Sequence, residues 1–348
     1  MIPDLAAADP SLLHFEVEPN YAGWSLLRYV AEKLRRPIDP ALLDKILRGS
    51  SLVHGEPVLL PETPVWPGLR FALRKRSSGD QGEPPEIPVV YEDAALLVVD
   101  KPAPLALHPS ARYHVSTLTY ALETRHRNAA GHKPDPAHRL DRETSGLVAC
   151  GRDPRNTKAL KASFARREVE KSYLALVEGA PQGDFDVDLP LAVGTPRVKV
   201  KVRVDPQGMP ALTVFRTERR YADAEGRPLA LVRCIPRTGR QHQIRVHLCA
   251  AGFPLVGDKL YGPDEGIFLK LAESGHSPPP RGEFDPLLTQ EEKRALRHVR
   301  QALHADELSL PHPSSGERMR FSAPLPHDLR KLIGELRPLD GRAALGPP

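Results

Sequence analysis

Cysteine is scarce: only Cys150, Cys234 and Cys249 occur among 348 residues, and none forms a CxxC pair. An odd, scattered set is no disulfide framework and suits a reducing cytoplasm. No run of 18 apolar residues occurs, which excludes a membrane-spanning helix. The opening Met1-Ile2-Pro3-Asp4 has neither a basic nor an apolar stretch, so no secretory signal is predicted. HExxH, P-loop and GxGxxG patterns are missing, and with them the chemistries they support. His242 and His247 stand five residues apart, off any one helical face, and make a poor metal pair. No internal repeat is found. The expectation is a cytoplasmic protein with no metal and no organic cofactor.

What is present is an ordinary globular composition, 40% hydrophobic and 27% charged, at a length that favours two domains. Proline is abundant at 38 residues and glycine adds 25, yet together they stay under a fifth of the chain. That is below the level of low-complexity disorder, so the excess reads as rigid turns and linkers. The net charge is +5, and residues 28–76 hold ten Lys/Arg against five Asp/Glu, an excess as large as that of the whole chain. Such a face either attracts phosphate or is simply a solvated helix surface.

Residues 11–76 read as a small α/β module. Apolar positions 26, 27, 30, 31 and 34 predict a helix over Trp24–Leu34, Leu42–Leu47 a second, and Val53–Val58 a hairpin. Residues 77–86 have linker composition. Residues 87–335 form the second domain, with apolar or alternating strands at Leu96–Val99, Leu147–Cys150, 171–178 and Leu229–Ile235. Arg197-Val-Lys-Val-Lys-Val-Arg203 alternates strictly, which predicts a strand with Arg197, Lys199, Lys201 and Arg203 on one face. It is either an edge strand guarded by charge or an RNA-facing one. Residues 263–300 read as a surface insertion, with Thr289 and Glu292 in a capping box, and 336–348 as a tail. The fold class is α+β, with a mostly antiparallel sheet behind a small basic module.

The informative segment is His138-Arg139-Leu140-Asp141-Arg142-Glu143-Thr144-Ser145-Gly146, a polar loop running into an apolar strand. It resembles the active-site motif of the RluA-type pseudouridine synthases. Val90-Tyr91-Glu92-Asp93 with Leu97–Pro102, Lys171-Ser172-Tyr173, and Thr238-Gly239-Arg240-Gln241-His242-Gln243-Ile244-Arg245 are similar to that family's other blocks, in the same order. Gly257-Asp258, Tyr261-Gly262, Leu303-His304-Ala305 and Phe321–Pro324 extend the likeness over most of the second domain. Residues 23–76 resemble the S-four-type RNA-binding module often fused ahead of such enzymes.

The resemblance implies isomerisation of specific uridines in structured RNA, with ribosomal RNA favoured and tRNA as the alternative. Asp141 is then the carboxylate that either attacks the anomeric carbon or removes a neighbouring proton; the residues leave both open. An ionised, buried Asp requires a fixed cation, and Arg245 is the candidate. It is expected on a helix from Thr238 to Leu248 whose packing stripe is Ile244, Leu248 and Ala251. Tyr173 is expected to pack on the extruded uracil and Arg139 to fill the space it leaves. His138, Arg240 and His242 are assigned to substrate binding. Arg35, Arg36, Lys45 and Arg48, with the 197–203 cations, are assigned to RNA binding. A monomer with no obligate protein partner is expected. The rivals are a catalytically silent RNA-binding protein and a nucleoside hydrolase, which would want a second carboxylate to activate water.

Overall fold

The structure is a computed structural model that describes residues 12–34, 47, 52–53, 59–74, 86–109, 113, 115–195, 198, 200–274, 279 and 282–339. The chain divides into two compact units, residues 1–83 with 109–115, and residues 84–108 with 116–348.

In the first unit, β1 (Leu12–Glu16), α1 (Leu26–Leu34), β2 (Leu52–Val53) and β3 (Arg70–Arg74) form a three-stranded antiparallel sheet, order β1-β3-β2, with a helix. The helix starts two residues later than the periodicity predicts. Its buried stripe is Leu26, Tyr29 and Val30, packed with Leu59, Val65, Leu69 and Phe71. Tyr29 donates its hydroxyl to the Glu16 carbonyl at 3.0 Å, and burial pushes its pKa up to about 12. The expected second helix, hairpin and linker fall largely outside the described residues, as do Arg35, Arg36, Lys45 and Arg48. Of the module's described cations, Lys33 pairs with Glu18, Arg70 with Glu16 at 3.1 Å, and Arg28 lies over the Trp24 ring at 3.7 Å.

The second unit runs β4 (Val89–Glu92), β5 (Leu96–Lys101), α2 (Leu118–Arg125), β6 (Asp135–Pro136), β7 (Ser145–Gly151), α3 (Pro154–Ala165), β8 (Glu170–Glu178) and β9 (Phe185–Asp188). It continues with β10 (Leu191–Val193), β11 (Val202–Val204), β12 (Leu212–Ala222), β13 (Pro228–Pro236), α4 (Gln243–Ala250), α5 (Glu265–Glu273) and α6 (Gln290–Leu296). It closes with β14 (Leu303–Pro311), β15 (Arg318–Ser322), α7 (His327–Gly334) and β16 (Arg337–Pro338). Eleven strands make one sheet in the order β16-β12-β13-β8-β14-β7-β5-β4, with β15 on β14, β6 on β7 and β9 on β12. Its pairs are antiparallel except β7 with β14, joined in parallel at Ser145↔His304 and Gly146↔Ala305. The sheet is therefore mixed but mostly antiparallel.

The continuous apolar runs have a direct cause: β5 and β7 are covered on both faces. Leu97, Val99, Val148 and Cys150 face a core shared with α2 and α4, while Leu96, Val98, Leu147 and Ala149 pack with Leu160 of α3. A strand buried on both sides has no polar face to alternate. At the parallel junction β7 and β14 approach so closely that a Cβ on Gly146 would stand 2.2 Å from the Ala305 carbonyl oxygen. With φ at +114°, only glycine suits this position.

Two expectations need correction. The 197–203 alternation is not one strand. β11 is confined to Val202–Val204, Val200 lies in an exposed turn, and Val198 and Val202 are buried. A hairpin with β10 and packing on Tyr261 decide this segment locally, overriding its period. Arg197 and Lys199 lie outside the described residues. Residues 263–300 do carry α5, α6 and the Thr289–Glu292 capping box, but their last residues are no surface insertion. Arg297 pairs with Glu178 and Asp223, and Arg300 is 3% exposed. Arg297 and Arg300 tie this end of the segment to Glu178, Asp223 and Asp328, so its last residues pack against the sheet.

Candidate active site

The loop before β7 carries Asp141, and parallel pairing sets its surroundings. Because β7 and β14 start at the same end of the sheet, the residues before β14 lie beside the Asp141 loop. Gln301 donates to Thr144 Oγ1 at 2.7 Å, with Asp141 Oδ2 at 3.5 Å. The loop is held from both sides. The buried Lys101 ammonium donates to the Leu105 and Arg142 carbonyls at 3.0 and 3.3 Å. Opposite, Arg300 donates to the Glu143 carbonyl at 2.9 Å and is anchored by Asp328 at 2.6 Å. A loop so fixed keeps its carboxylate in place without substrate.

Arg245 comes from α4. Thr238 does not cap this helix, which starts five residues later at Gln243 behind His242, a residue in the left-handed conformation (φ 54°). The signals at Thr238 serve another purpose. Gln243 accepts from the Thr238 hydroxyl at 2.7 Å and the Arg240 amide at 3.0 Å, and donates to the Leu212 carbonyl at 3.0 Å. One buried amide thus folds the 238–242 loop onto β12. Ile244 and Leu248 pack into the core as expected, with Ala251 against it.

Arg245 is 8% exposed and is shared by two carboxylates. It donates Nη1 to Asp141 Oδ2 at 2.8 Å, and grips Asp258 through Nε at 2.7 Å and Nη2 at 2.9 Å. Its guanidinium also lies over the Tyr261 ring at 4.9 Å. Burial pushes the Asp141 carboxyl up, but the Arg245 charge and hydrogen bond outweigh it and leave the group below the usual carboxylate range. Burial likewise raises Asp258, and Arg245 and the amides of Leu260 and Tyr261 overcome it. Sequence reasoning noted Asp258 only as part of a motif and missed its duty. A partner thirteen residues from Arg245, on a loop, leaves no periodic signal.

His242 places Nδ1 2.9 Å from the Tyr261 hydroxyl and Nε2 3.8 Å from Asp141 Oδ2. Burial pulls its pKa down to about 4, so the ring is neutral at pH 7 and the cation bonded to Asp141 is Arg245. His247 belongs elsewhere, bonded to Thr213 and the Leu189 carbonyl. Tyr173 projects from β8 on the face opposite Leu174 and Leu176 and is 8% exposed. Burial, then the Asp141 charge, raises its pKa well above the ordinary tyrosine value.

Asp141, Tyr173, Arg245, Arg139, His138, Arg240 and His242 all line one cleft of about 690 Å³. Arg139 is exposed and makes no hydrogen bond to a described residue. Arg240 donates Nε to the Pro210 carbonyl at 3.2 Å. His138 braces the loop from within, since its Nε2 accepts from the Ala149 amide at 3.1 Å and its ring stacks on Phe164 at 4.6 Å. Burial lowers its pKa to about 3, which keeps it neutral. Lys201 and Arg203 are not in the cleft; they pair with Glu265 and Asp205, each at 2.6 Å.

The sequence profile described as RNA pseudouridylate synthase matches residues 95–250. The ribosomal large subunit pseudouridine synthase D of Xanthomonas campestris pv. campestris is 40% identical over 97% of this chain and 96% of its own length. The chain belongs to the RNA pseudouridylate synthase family, and it is an RNA pseudouridine synthase. Proteins of the same name from Pseudomonas aeruginosa and Escherichia coli are 35% and 32% identical over 92% of the chain, and over 94% and 93% of their own lengths. Among solved structures, human RNA pseudouridylate synthase domain containing 1 is similar with a TM-score of 0.57 and 26% identity, covering 76% of this chain and 94% of its own.

Proposed function

We propose that the chain isomerises specific uridines of large-subunit ribosomal RNA, as the names of its relatives say of them, with Asp141 as the catalytic carboxylate. The observation that carries this is the Asp141–Arg245 pair at 2.8 Å in the cleft. It keeps one carboxylate ionised where a flipped nucleotide fits. The N1–C1′ bond breaks, uracil turns, C5 bonds to C1′, and the proton leaving C5 is balanced by one gained at N1. Asp141 either attacks C1′ or takes the neighbouring sugar proton. Tyr173 packs against the uracil, and the free Arg139 fills the gap left in the RNA, offsetting the few kcal/mol of unstacking. Arg240 and His242 border the nucleotide. His138 supports the loop from behind.

Residues 1–76 act as an S-four-like RNA-binding module, joined by 77–86 to the catalytic domain at 87–335. Supporting this is the excess of cations over 28–76. Neutralising Arg35, Arg36 and Lys45 together is expected to weaken RNA binding and spare turnover at saturating RNA; unchanged affinity defeats this assignment. The protein acts as a monomer, which sedimentation checks.

The decisive experiment maps pseudouridine in ribosomal RNA from cells lacking the gene and complemented with wild type or Asp141→Asn. Sites restored by wild type and not by the variant are expected. Asp141→Asn should lose several orders of magnitude in turnover, each factor of ten being about 1.4 kcal/mol of barrier. Identical maps with and without the gene would rule out this substrate, and an active Asp141→Asn would rule out the role.

A further inference from the structure

A second groove of about 590 Å³ adjoins the cleft and shares Glu170, Lys171, Ile235 and Arg237 with it. It crosses five neighbouring strands, β12, β13, β8, β14 and β15, a span of ~19 Å at the usual strand spacing. Side chains alternate along a strand. Tyr173 faces the core behind the cleft, whereas Ser172 and Arg233 face the other way, with Arg216 directly opposite Arg233 in the register. The groove therefore lies on the reverse face of the sheet, reached over a lip at the ends of β8 and β13 where Lys171 and Arg237 stand.

Its charges are unbalanced. Together the cleft and groove present nine Lys/Arg and three Asp/Glu, an excess of six in a chain whose net charge is +5. The carboxylates are already engaged: Asp141 by Arg245, Glu170 by Arg318 at 2.9 Å, Glu307 by Arg233 at 3.7 Å. Lys171, Arg216, Arg237 and Arg320 form no ion pair or side-chain hydrogen bond with a described residue, and the three arginines are exposed. Burial pulls the Lys171 ammonium down without a carboxylate to oppose it. Arg233 is answered by Glu218 at 2.6 Å and Asp306 at 2.7 Å, whereas its cross-strand neighbour Arg216 has no such carboxylate among the described residues. Arg320 is paired with Ser309 and so stands on the same face as Ser172 and Glu307. Unneutralised cations along a groove that continues from the cleft suit the phosphates of a single-stranded nucleic acid.

We infer that the single-stranded RNA flanking the target uridine leaves the cleft over Lys171 and Arg237 and lies in this groove, its phosphates on Arg216 and Arg320. The inference rests on the RNA reading of the cleft. Arg216→Ala/Arg320→Ala tests it in the full chain, with Arg216→Gln/Arg320→Gln as a milder pair and Arg155→Ala, an exposed helical position, as control. Binding to a single-stranded RNA carrying the uridine is measured across salt concentrations, apart from turnover. Losing two contacts should lower the log–log salt slope by about 1.4 and weaken binding roughly ten- to thirtyfold at 0.1 M salt. Turnover at saturating RNA should match wild type, and the deficit should vanish with RNA truncated on one side of the uridine. Unchanged affinity and slope overturn the groove, as does an equal deficit with either truncation. If wild type makes no pseudouridine in any RNA, the isomerase reading falls instead, and binding alone judges the groove.

Discussion

Replacing Arg245 with leucine should reverse the sign of the protein's acid response. In the native protein Asp141 and Asp258 both sit below the usual carboxylate pKa because Arg245 bonds to each. A carboxyl depressed in the folded state binds fewer protons than in the unfolded chain, so its stabilisation is present above pH ~4 and is lost as pH falls through the folded value. Without Arg245 burial prevails over the remaining hydrogen bonds and both groups rise. The folded state then binds more protons than the unfolded one, and stability falls as pH climbs above ~4. Asp258 suffers most, since its side chain is fully buried and keeps only the Leu260 and Tyr261 amides. Removing one member of a buried pair costs roughly 3–5 kcal/mol. At about 2–4 °C per kcal/mol for a large domain, the unfolding midpoint should drop by roughly 6–20 °C at pH 7. Thermal unfolding of Arg245→Leu and wild type from pH 4 to 8 reads this directly: wild type gains or holds stability, and the variant loses it. A variant curve parallel to wild type would show that Arg245 does not neutralise the two carboxylates.

Tyr173→Phe keeps the ring in the core, so stability should move by less than about 1 kcal/mol; if the hydroxyl takes part in proton transfer, turnover should fall roughly 10²-fold or more, and a full native rate would dismiss it. Gly146→Ala should cost at least about 2 kcal/mol in urea unfolding, because the added carbon meets the Ala305 backbone and φ is positive; a variant as stable as wild type would deny the close approach. For His242, a folded pKa of about 4 means its contribution to stability is complete above the ordinary value near 6.5 and disappears as pH falls through 4. Its imidazole signals by NMR should not titrate between pH 5.5 and 8, and a midpoint near 6.5 would contradict its burial.

Part of this was legible in the sequence because it is local. β5, β7, β8 and β13 showed as apolar or alternating runs, and the Thr289–Glu292 capping box showed because both its ends lie within four residues. Asp141, Tyr173 and Arg245 were legible through motifs, and periodicity alone singled out none of them. The errors came where a local signal was answered by a distant partner. Thr238 looked like a helix cap until Gln243 proved to draw it onto β12. The 197–203 alternation was undone by Tyr261, whose hydroxyl accepts from the Val202 amide at 2.8 Å. Asp258 and Gln301 were missed because their roles depend on a parallel strand pair and a loop, neither of which imposes a period.

The pairing of β7 with β14 also sets an order of events in synthesis. Asp141 is made well before Arg300, Gln301 and Asp328, which brace its loop from the far side. At ~5–20 residues per second, the ribosome takes about 10–40 s to travel from one to the other. Throughout that interval the loop has its Lys101 brace and lacks the one from Arg300 and Gln301. The bracing by the residues before β14 and by α7 is thus a long-range closure, made only after the intervening strands exist.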